Sequence, residues 1–368
     1  MNTSGMKEHF LNLTPGKLMG LRQITDADGR FKIAALDHRR RVLYQRKLEQ
    51  VKSRPGISPA QRDYEVIRDV KLLFVRNLAP HATAVLLDVN YGLRQALNSG
   101  VLPRGTGLIA GVEKGTDPGL PGEIEPGWSV AQIKRMGASA VKLLVFVDTQ
   151  DSKVLEQQLR FVRQVHDECL KHDIFLLIEP LSYSRLGDKA QFPSEVQSRP
   201  GNVIEAARLI GPWCDTLKME CPGDFRSQSR TEIEKNLKKL NDAAIRPWVL
   251  LSAGEKFDLF VQQAGMAMQA GASGYMAGRA VFNEYFEQET EEGGNRFLQE
   301  AGVERLKQLN ALVDQYAVSW LEKAGVTPGE MARQVEPRWF RSGQRKSRAG
   351  PTDTIPAGEG VVEEASPY

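Results

Sequence analysis

The chain has 368 residues, 41% of them hydrophobic and 26% charged, which is ordinary globular composition with ample material for a large core. Its 49 basic and 46 acidic residues leave a formal net charge of +3, too balanced for a nucleic-acid or membrane surface but compatible with a small anionic substrate. No apolar run approaches the roughly 18 to 20 residues that a membrane span needs.

The three cysteines, Cys169, Cys214 and Cys221, show no CxxC spacing, and the N-terminal MNTSGMKEHFLNLTPGK lacks the basic-then-apolar pattern of a signal peptide. Both features predict a reducing cytoplasm. The five histidines, His9, His38, His81, His166 and His172, are scattered without the close spacing of a metal cluster, so neither a metal nor another cofactor is expected. A homo-oligomer stays open.

Short apolar runs recur along the chain. In order they are FKIAALD (31–37), ATAVLLD (82–88), TGLIAGVE (106–113), AVKLLVF (140–146), IFLLIEP (174–180), TLKMECP (216–222), PWVLLSAG (247–254) and SGYMAGRAV (273–281). Continuous rather than alternating hydrophobicity is the mark of strands buried on both faces, as in parallel sheets covered by helices. Helical segments lie between them. Ser58, Pro59 and Gln61 form a capping-box start, and Val66, Val70, Leu73, Phe74 and Leu78 mark one face of the helix that follows. Leu155, Leu159, Val162 and Val165 form a similar stripe after the fourth run, and Leu306, Leu309, Val313, Tyr316 and Trp320 predict one long helix near the end. Eight β-then-α units within about 320 residues predict a single (β/α)8 TIM barrel over residues 1–340, since such barrels run to ~250 residues and tolerate insertions. A doubly wound open sheet competes, but no GxGxxG follows the first strand.

Two long loops rich in glycine and proline, 114–127 and 182–201, follow strands and so belong over the C-terminal face of the barrel. From about Arg341 the sequence has little to pack, and 341–368 is expected to be a disordered tail.

The C-terminal strand ends converge on one site in such a barrel. Here they carry Asp37, Asp88, Glu113, Lys142, Glu179, Lys218, Ser252 and Arg279. Any one of these could end a strand for trivial reasons. Lys142, Glu179 and Lys218 are harder to dismiss, because apolar residues flank each one and burying an unpaired charge is costly. A buried Lys218 beside a second cation, Lys142, favours the neutral amine that attacks a carbonyl to form a Schiff base. Glu179 suits a proton shuttle, and Asp37 offers a further acid or base. A buried ion pair that only holds the core together is the competing reading. After the last two strands, Ser252, Ala253, Gly254, Ala277 and Gly278 leave backbone N–H groups open to an anion, with Arg279 as a two-pronged charge.

The motifs LDHR (36–39), LLDVNYG (86–92), AVKLLVFVD (140–148), IEPLSY (178–183), DTLKMECP (215–222), LLSAG (250–254) and GASGYMAGRA (271–280) resemble the class I tagatose 1,6-bisphosphate aldolases and their sulfofructosephosphate aldolase relatives. The resemblance runs from about residue 17 to about residue 323, in order and with similar gaps. It implies Lys218 as the Schiff-base lysine, Glu179 as acid and base, Asp37 and Lys142 as lining residues, and Ser252 and Arg279 as holders of the phosphate beside the keto group. Where the family has D-Q-R, this chain has Asp37, His38 and Arg39. His38 and Arg39 are expected opposite the phosphate loops, meeting the C6 group, with a protonated His38 favouring a dianion. The implied activity is metal-independent cleavage of a ketose 1,6-bisphosphate, tagatose 1,6-bisphosphate first, to dihydroxyacetone phosphate and glyceraldehyde 3-phosphate. Cleavage of 6-deoxy-6-sulfofructose 1-phosphate is the near alternative, and a non-catalytic sugar-phosphate-binding barrel the distant one.

Overall fold

The computed structural model describes residues 3–51, 56–115, 118–183 and 199–335. Its strands are β1 (Phe31–Ala35), β2 (Ala84–Leu87), β3 (Gly107–Gly111), β4 (Ala140–Phe146), β5 (Phe175–Leu181), β6 (Thr216–Met219), β7 (Trp248–Leu251) and β8 (Gly274–Ala277). Each pairs in parallel with the next, and β8 returns to β1, with Phe31 opposite Gly274 and Ala34 opposite Ala277. The result is a closed barrel with no free edge, which rules out the open sheet. Every expected apolar run supplies one strand.

Both faces of each strand are buried, which explains the unbroken hydrophobic runs. Alternate residues such as Val141, Leu143 and Val145 on β4 or Leu176 and Ile178 on β5 join one apolar cluster with the surrounding helices. Their neighbours Ala140, Lys142, Phe175, Leu177 and Glu179 therefore face the barrel interior, because successive side chains point to opposite faces. Between strands lie the helices Gln45–Gln50, Pro59–Leu78, Leu93–Ser99, Val130–Arg135, Ser152–Lys171, Arg199–Ile210, Arg230–Ala243 and Phe257–Gln269, and Val303–Tyr316 is the longest after the last strand.

Ser58 caps its helix as expected, accepting from the Gln61 N–H. The reciprocal half of the box is not made, because the Gln61 side chain donates instead to Glu65 Oε1 at 2.8 Å. The expected long C-terminal helix is two: Val303–Tyr316 ends at an extended Ala317, and Ser319 caps a separate helix, Trp320–Ala324, by accepting from the Glu322 N–H.

The helix Pro15–Ile24 packs at the N-terminal ends of the strands, with Gly20 against the Ser139 carbonyl just before β4 and Gln23 against Gly107 at the start of β3. Its first turn is capped by Asp173, which accepts from the backbone N–H groups of Gly16 at 2.9 Å and Lys17 at 3.2 Å. Lys17 is buried and pairs with Asp215, at the entry to β6, at 2.9 Å.

One compact unit spans Met1–Thr327, and a second spans Pro328–Tyr368, of which the helix Pro328–Arg333 is described. The boundary expected near residue 340, the tail 341–368 and most of the 182–201 loop lie outside the described residues. Among the described residues no helix is long and apolar enough to cross a membrane.

Candidate active site

Inward alternation brings Lys142 of β4, Glu179 of β5 and Lys218 of β6 to the same end of the barrel. Lys142 is 1% exposed, and Glu179 and Lys218 are each 5% exposed. Glu179 bridges the two lysines: Oε1 lies 2.8 Å from Lys218 Nζ and Oε2 lies 2.8 Å from Lys142 Nζ. Lys142 also meets Asp37 Oδ2 and Glu113 Oε1, each at 3.1 Å. Lys142 thus meets three carboxylates, and Lys218 shares one of them, Glu179.

Burial alone would lower the affinity of Lys142 for its proton, but Asp37, Glu113 and Glu179 outweigh it and hold its pKa well above the ordinary lysine value. The same contacts act in reverse on the carboxylates. Burial would raise Glu179, yet Lys142 and Lys218 pull it below its usual range, and Lys142, Lys218 and His38 do the same to Asp37. Lys142 was expected to act on Lys218 as a bare cation. Its charge is instead absorbed by three carboxylates, and Glu179 stands between the two amines.

The phosphate-type loops also converge. Ser252 Oγ, at the end of β7, accepts from the Gly278 N–H at 3.3 Å, and Arg279 donates to the Ala253 carbonyl at 3.3 Å. Ala253 (φ +48°) and Gly254 (φ +82°) are consecutive left-handed residues, and a side chain on Ala253 makes that conformation strained, as is common at ligand sites. A Cβ on Gly254 would lie 2.8 Å from Arg279 Cζ, so glycine lets the guanidinium rest against the turn. Burial lowers the Arg279 pKa, against Glu179 and Asp37, and its buried Nε has no partner among the described residues.

His38 and Arg39 part company. Because β1 neighbours β8, the His38 ring lies beside the phosphate-type loops rather than opposite them: a Cβ on Gly278 would stand 2.5 Å from His38 Cε1, and the ring meets Phe282 edge-on at 5.6 Å. Burial, with Arg279, Lys71 and Lys218, pushes the imidazole down to about 3 despite Asp37. His38 is therefore neutral at physiological pH, which corrects the expectation of a protonated ring. Arg39 turns the other way and is already engaged, donating to Asn90 Oδ1 at 3.1 Å, to Glu125 Oε2 at 3.3 Å and to the Glu113 carbonyl.

Two features escaped the sequence reading. Asp88 does not join the cluster; it pairs with Lys71, a fully buried lysine that also donates to the Leu36 carbonyl at 2.7 Å. The available signal was a lysine on the apolar stripe of its helix, four residues after Ile67 and three before Phe74. Glu220, two residues past Lys218, accepts from the Ser182 N–H at 2.7 Å and from Arg199 at 2.9 Å. It ties the end of β6 to both flanks of the loop after β5.

A closed parallel barrel with a buried Lys–Glu–Lys chain at its C-terminal mouth defines a site equipped for carbonyl chemistry on a small substrate. Residues 32–284 match the family described as DeoC/LacD family aldolase, and the chain belongs to that family. It is an aldolase, a carbon–carbon lyase. It is 30% identical over 336 residues to tagatose 1,6-diphosphate aldolase 2 of Streptococcus agalactiae, covering 84% of this chain and 99% of the relative. It is likewise 30% identical to tagatose 1,6-diphosphate aldolase 1 of Enterococcus faecalis, over 70% of this chain and 85% of the relative. A solved fructose-bisphosphate aldolase from Plasmodium falciparum shares the fold, with a TM-score of 0.63 and 12% identity, covering 83% of this chain and 97% of that one.

Proposed function

We propose that the chain cleaves a ketose 1,6-bisphosphate, tagatose 1,6-bisphosphate first, through a Schiff base at Lys218. The observation that supports this reading best is the Glu179 bridge: Oε1 lies 2.8 Å from Lys218 Nζ and Oε2 lies 2.8 Å from Lys142 Nζ. Lys218 gives a proton to Glu179 and attacks C2 of the ketose; Glu179 returns it as the carbinolamine loses water. The iminium then accepts the electron pair of the breaking C3–C4 bond. Lys142 stays charged throughout and holds Asp37 and Glu179 in place. Ser252, Gly254, Gly278 and Arg279 hold the phosphate at C1. The choice of tagatose rests on the names of the relatives over most of the chain.

The test is a panel of ketose 1-phosphates and 1,6-bisphosphates, with release of dihydroxyacetone phosphate measured with and without EDTA. The reading requires turnover of tagatose 1,6-bisphosphate that survives EDTA. A preference for 6-deoxy-6-sulfofructose 1-phosphate would move the substrate to the sulfonate sugar, and binding without turnover of any ketose would leave a sugar-phosphate-binding barrel.

A further inference from the structure

We propose that Lys71 and Tyr44 are positioning residues for the cleavage: from outside the mouth they fix the short turn that carries Asp37 into it. This rests on the Schiff-base reading above, in which Asp37 lines the site beside Lys142.

Asp37 stands where the sheet stops holding the chain. β1 ends at Ala35, and the Leu36 N–H still donates to the Leu86 carbonyl at 2.8 Å. Beyond that point the direction of the Asp37 side chain depends on how its two flanking peptides are held. Each is gripped by a buried side chain. On one side Lys71 Nζ donates to the Leu36 carbonyl at 2.7 Å, and on the other the Tyr44 hydroxyl donates to the His38 carbonyl at 2.8 Å. Lys71 is 1% exposed and Tyr44 2%. The carboxylate between them meets Lys142 Nζ at 3.1 Å.

Both grips are themselves locked. Lys71 projects from the helix Pro59–Leu78 and pairs with Asp88, which follows β2 and accepts from the Tyr91 N–H at 2.8 Å. Gly92 leaves room for the pair: a Cβ there would stand 3.3 Å from Asp88 Oδ1 and 3.5 Å from Lys71 Cδ. Tyr44 packs edge-on against Phe286 at 5.4 Å. Burial, with Asp88 and Asp37 nearby, raises its pKa well above the ordinary tyrosine value, so the hydroxyl keeps the proton it donates.

A buried ion pair is a weak way to join a helix to a barrel, because apolar side chains of similar volume often hold as well or better. What they could not supply is the donor to the Leu36 carbonyl. A site group misplaced by about 1 Å can cost on the order of 10² in rate. Holding this turn is therefore work that Lys71 and Tyr44 can do without touching substrate.

The experiment separates holding the fold from holding Asp37. Lys71→Met strands Asp88 without its lysine and should lower both melting temperature and kcat. Adding Asp88→Leu removes the stranded charge, so the double variant should recover most of the melting temperature. Its kcat on the ketose bisphosphate should nevertheless stay about 10- to 100-fold below wild type, with KM changed less. Tyr44→Phe keeps the ring against Phe286 and loses only the donor, so it should melt like wild type and lower kcat about three- to tenfold, the size of one neutral hydrogen bond. In an Asp37→Asn background each change should cost less than it does alone, because substitutions that act through one residue are not additive. Recovery of kcat together with stability in the double variant, wild-type kcat in Tyr44→Phe, or full additivity with Asp37→Asn overturns the assignment. Should the double variant not fold, Tyr44→Phe decides alone. Failure of borohydride with dihydroxyacetone phosphate to inactivate the wild type would instead bring down the Schiff-base reading itself.

Discussion

At the N-terminal ends of the strands Lys17 meets one carboxylate, Asp215, with Nζ 3.1 Å from Oδ1 and 2.9 Å from Oδ2. Asp215 also accepts from the Leu176 N–H at 2.8 Å and lies 3.2 Å from His9 Nε2, so both of its oxygens are satisfied. At the C-terminal ends Lys142 meets Asp37, Glu113 and Glu179, and Lys218 shares Glu179 with it. Both groups are buried lysine–carboxylate sets of the same chemical kinds. The first joins the helix Pro15–Ile24 to the entry of β6. In the second, one carboxylate, Glu179, lies between two amines, the arrangement that the proposed Schiff-base chemistry uses. The barrel thus separates stability from chemistry along its axis.

Breaking each group should therefore give opposite phenotypes. The largest expected effect is at the mouth: Glu179→Gln should lower kcat by roughly 10² to 10⁴, the usual contribution of a positioned acid or base, with KM changed far less. Steady-state kinetics alongside thermal melting checks it, and a loss of stability with kcat intact would make Glu179 structural. At the other end, Lys17→Met leaves Asp215 buried without its lysine and should cost about 3 to 5 kcal/mol of stability in denaturant titration. Its kcat, measured well below the melting temperature, should match wild type.

A smaller effect is expected from Arg39→Ala. The arginine is spent on Asn90, Glu125 and the Glu113 carbonyl, so losing it should lower kcat/KM about tenfold, within the ~1 to 3 kcal/mol of a charge-assisted hydrogen bond. That loss should be equal for a ketose 1,6-bisphosphate and for a ketose 1-phosphate. A loss confined to the bisphosphate would return Arg39 to the C6 phosphate. The smallest effect concerns His38. The folded state holds its imidazole at about 3 against an ordinary value of 6.5, so between those limits the unfolded chain binds the extra proton and stability falls as pH drops. His38→Gln should flatten melting temperature against pH from about 6.5 downward, and should leave kcat/KM unchanged in shape between about pH 6 and 8.

Lys142, Glu179 and Lys218 could be found in the sequence because each interrupts an apolar run that has to be buried, and burial turns a charge into a question. The eight strands were visible for the same reason. What the sequence could not show was who pairs with whom. Lys142 looks like a neighbour of Lys218 until the carboxylates of Asp37, Glu113 and Glu179 close around it. His38 looks distant from Arg279 until the barrel closes and β1 lies against β8. Arg39 looks like a free cation because its partners Asn90 and Glu125 come from two other loops. Lys71 hides because lysines in helices are usually solvent-facing, and only its place on the apolar stripe hints otherwise.

The central claim, that the mouth of the barrel is a Schiff-base site centred on Lys218, is tested most directly by borohydride reduction in the presence of dihydroxyacetone phosphate, followed by peptide mapping in the mass spectrometer. The account predicts loss of activity with a single adduct on the peptide that contains TLKMECP, at Lys218. An adduct on Lys142, or an enzyme that keeps its activity under borohydride and loses it to EDTA, would contradict it.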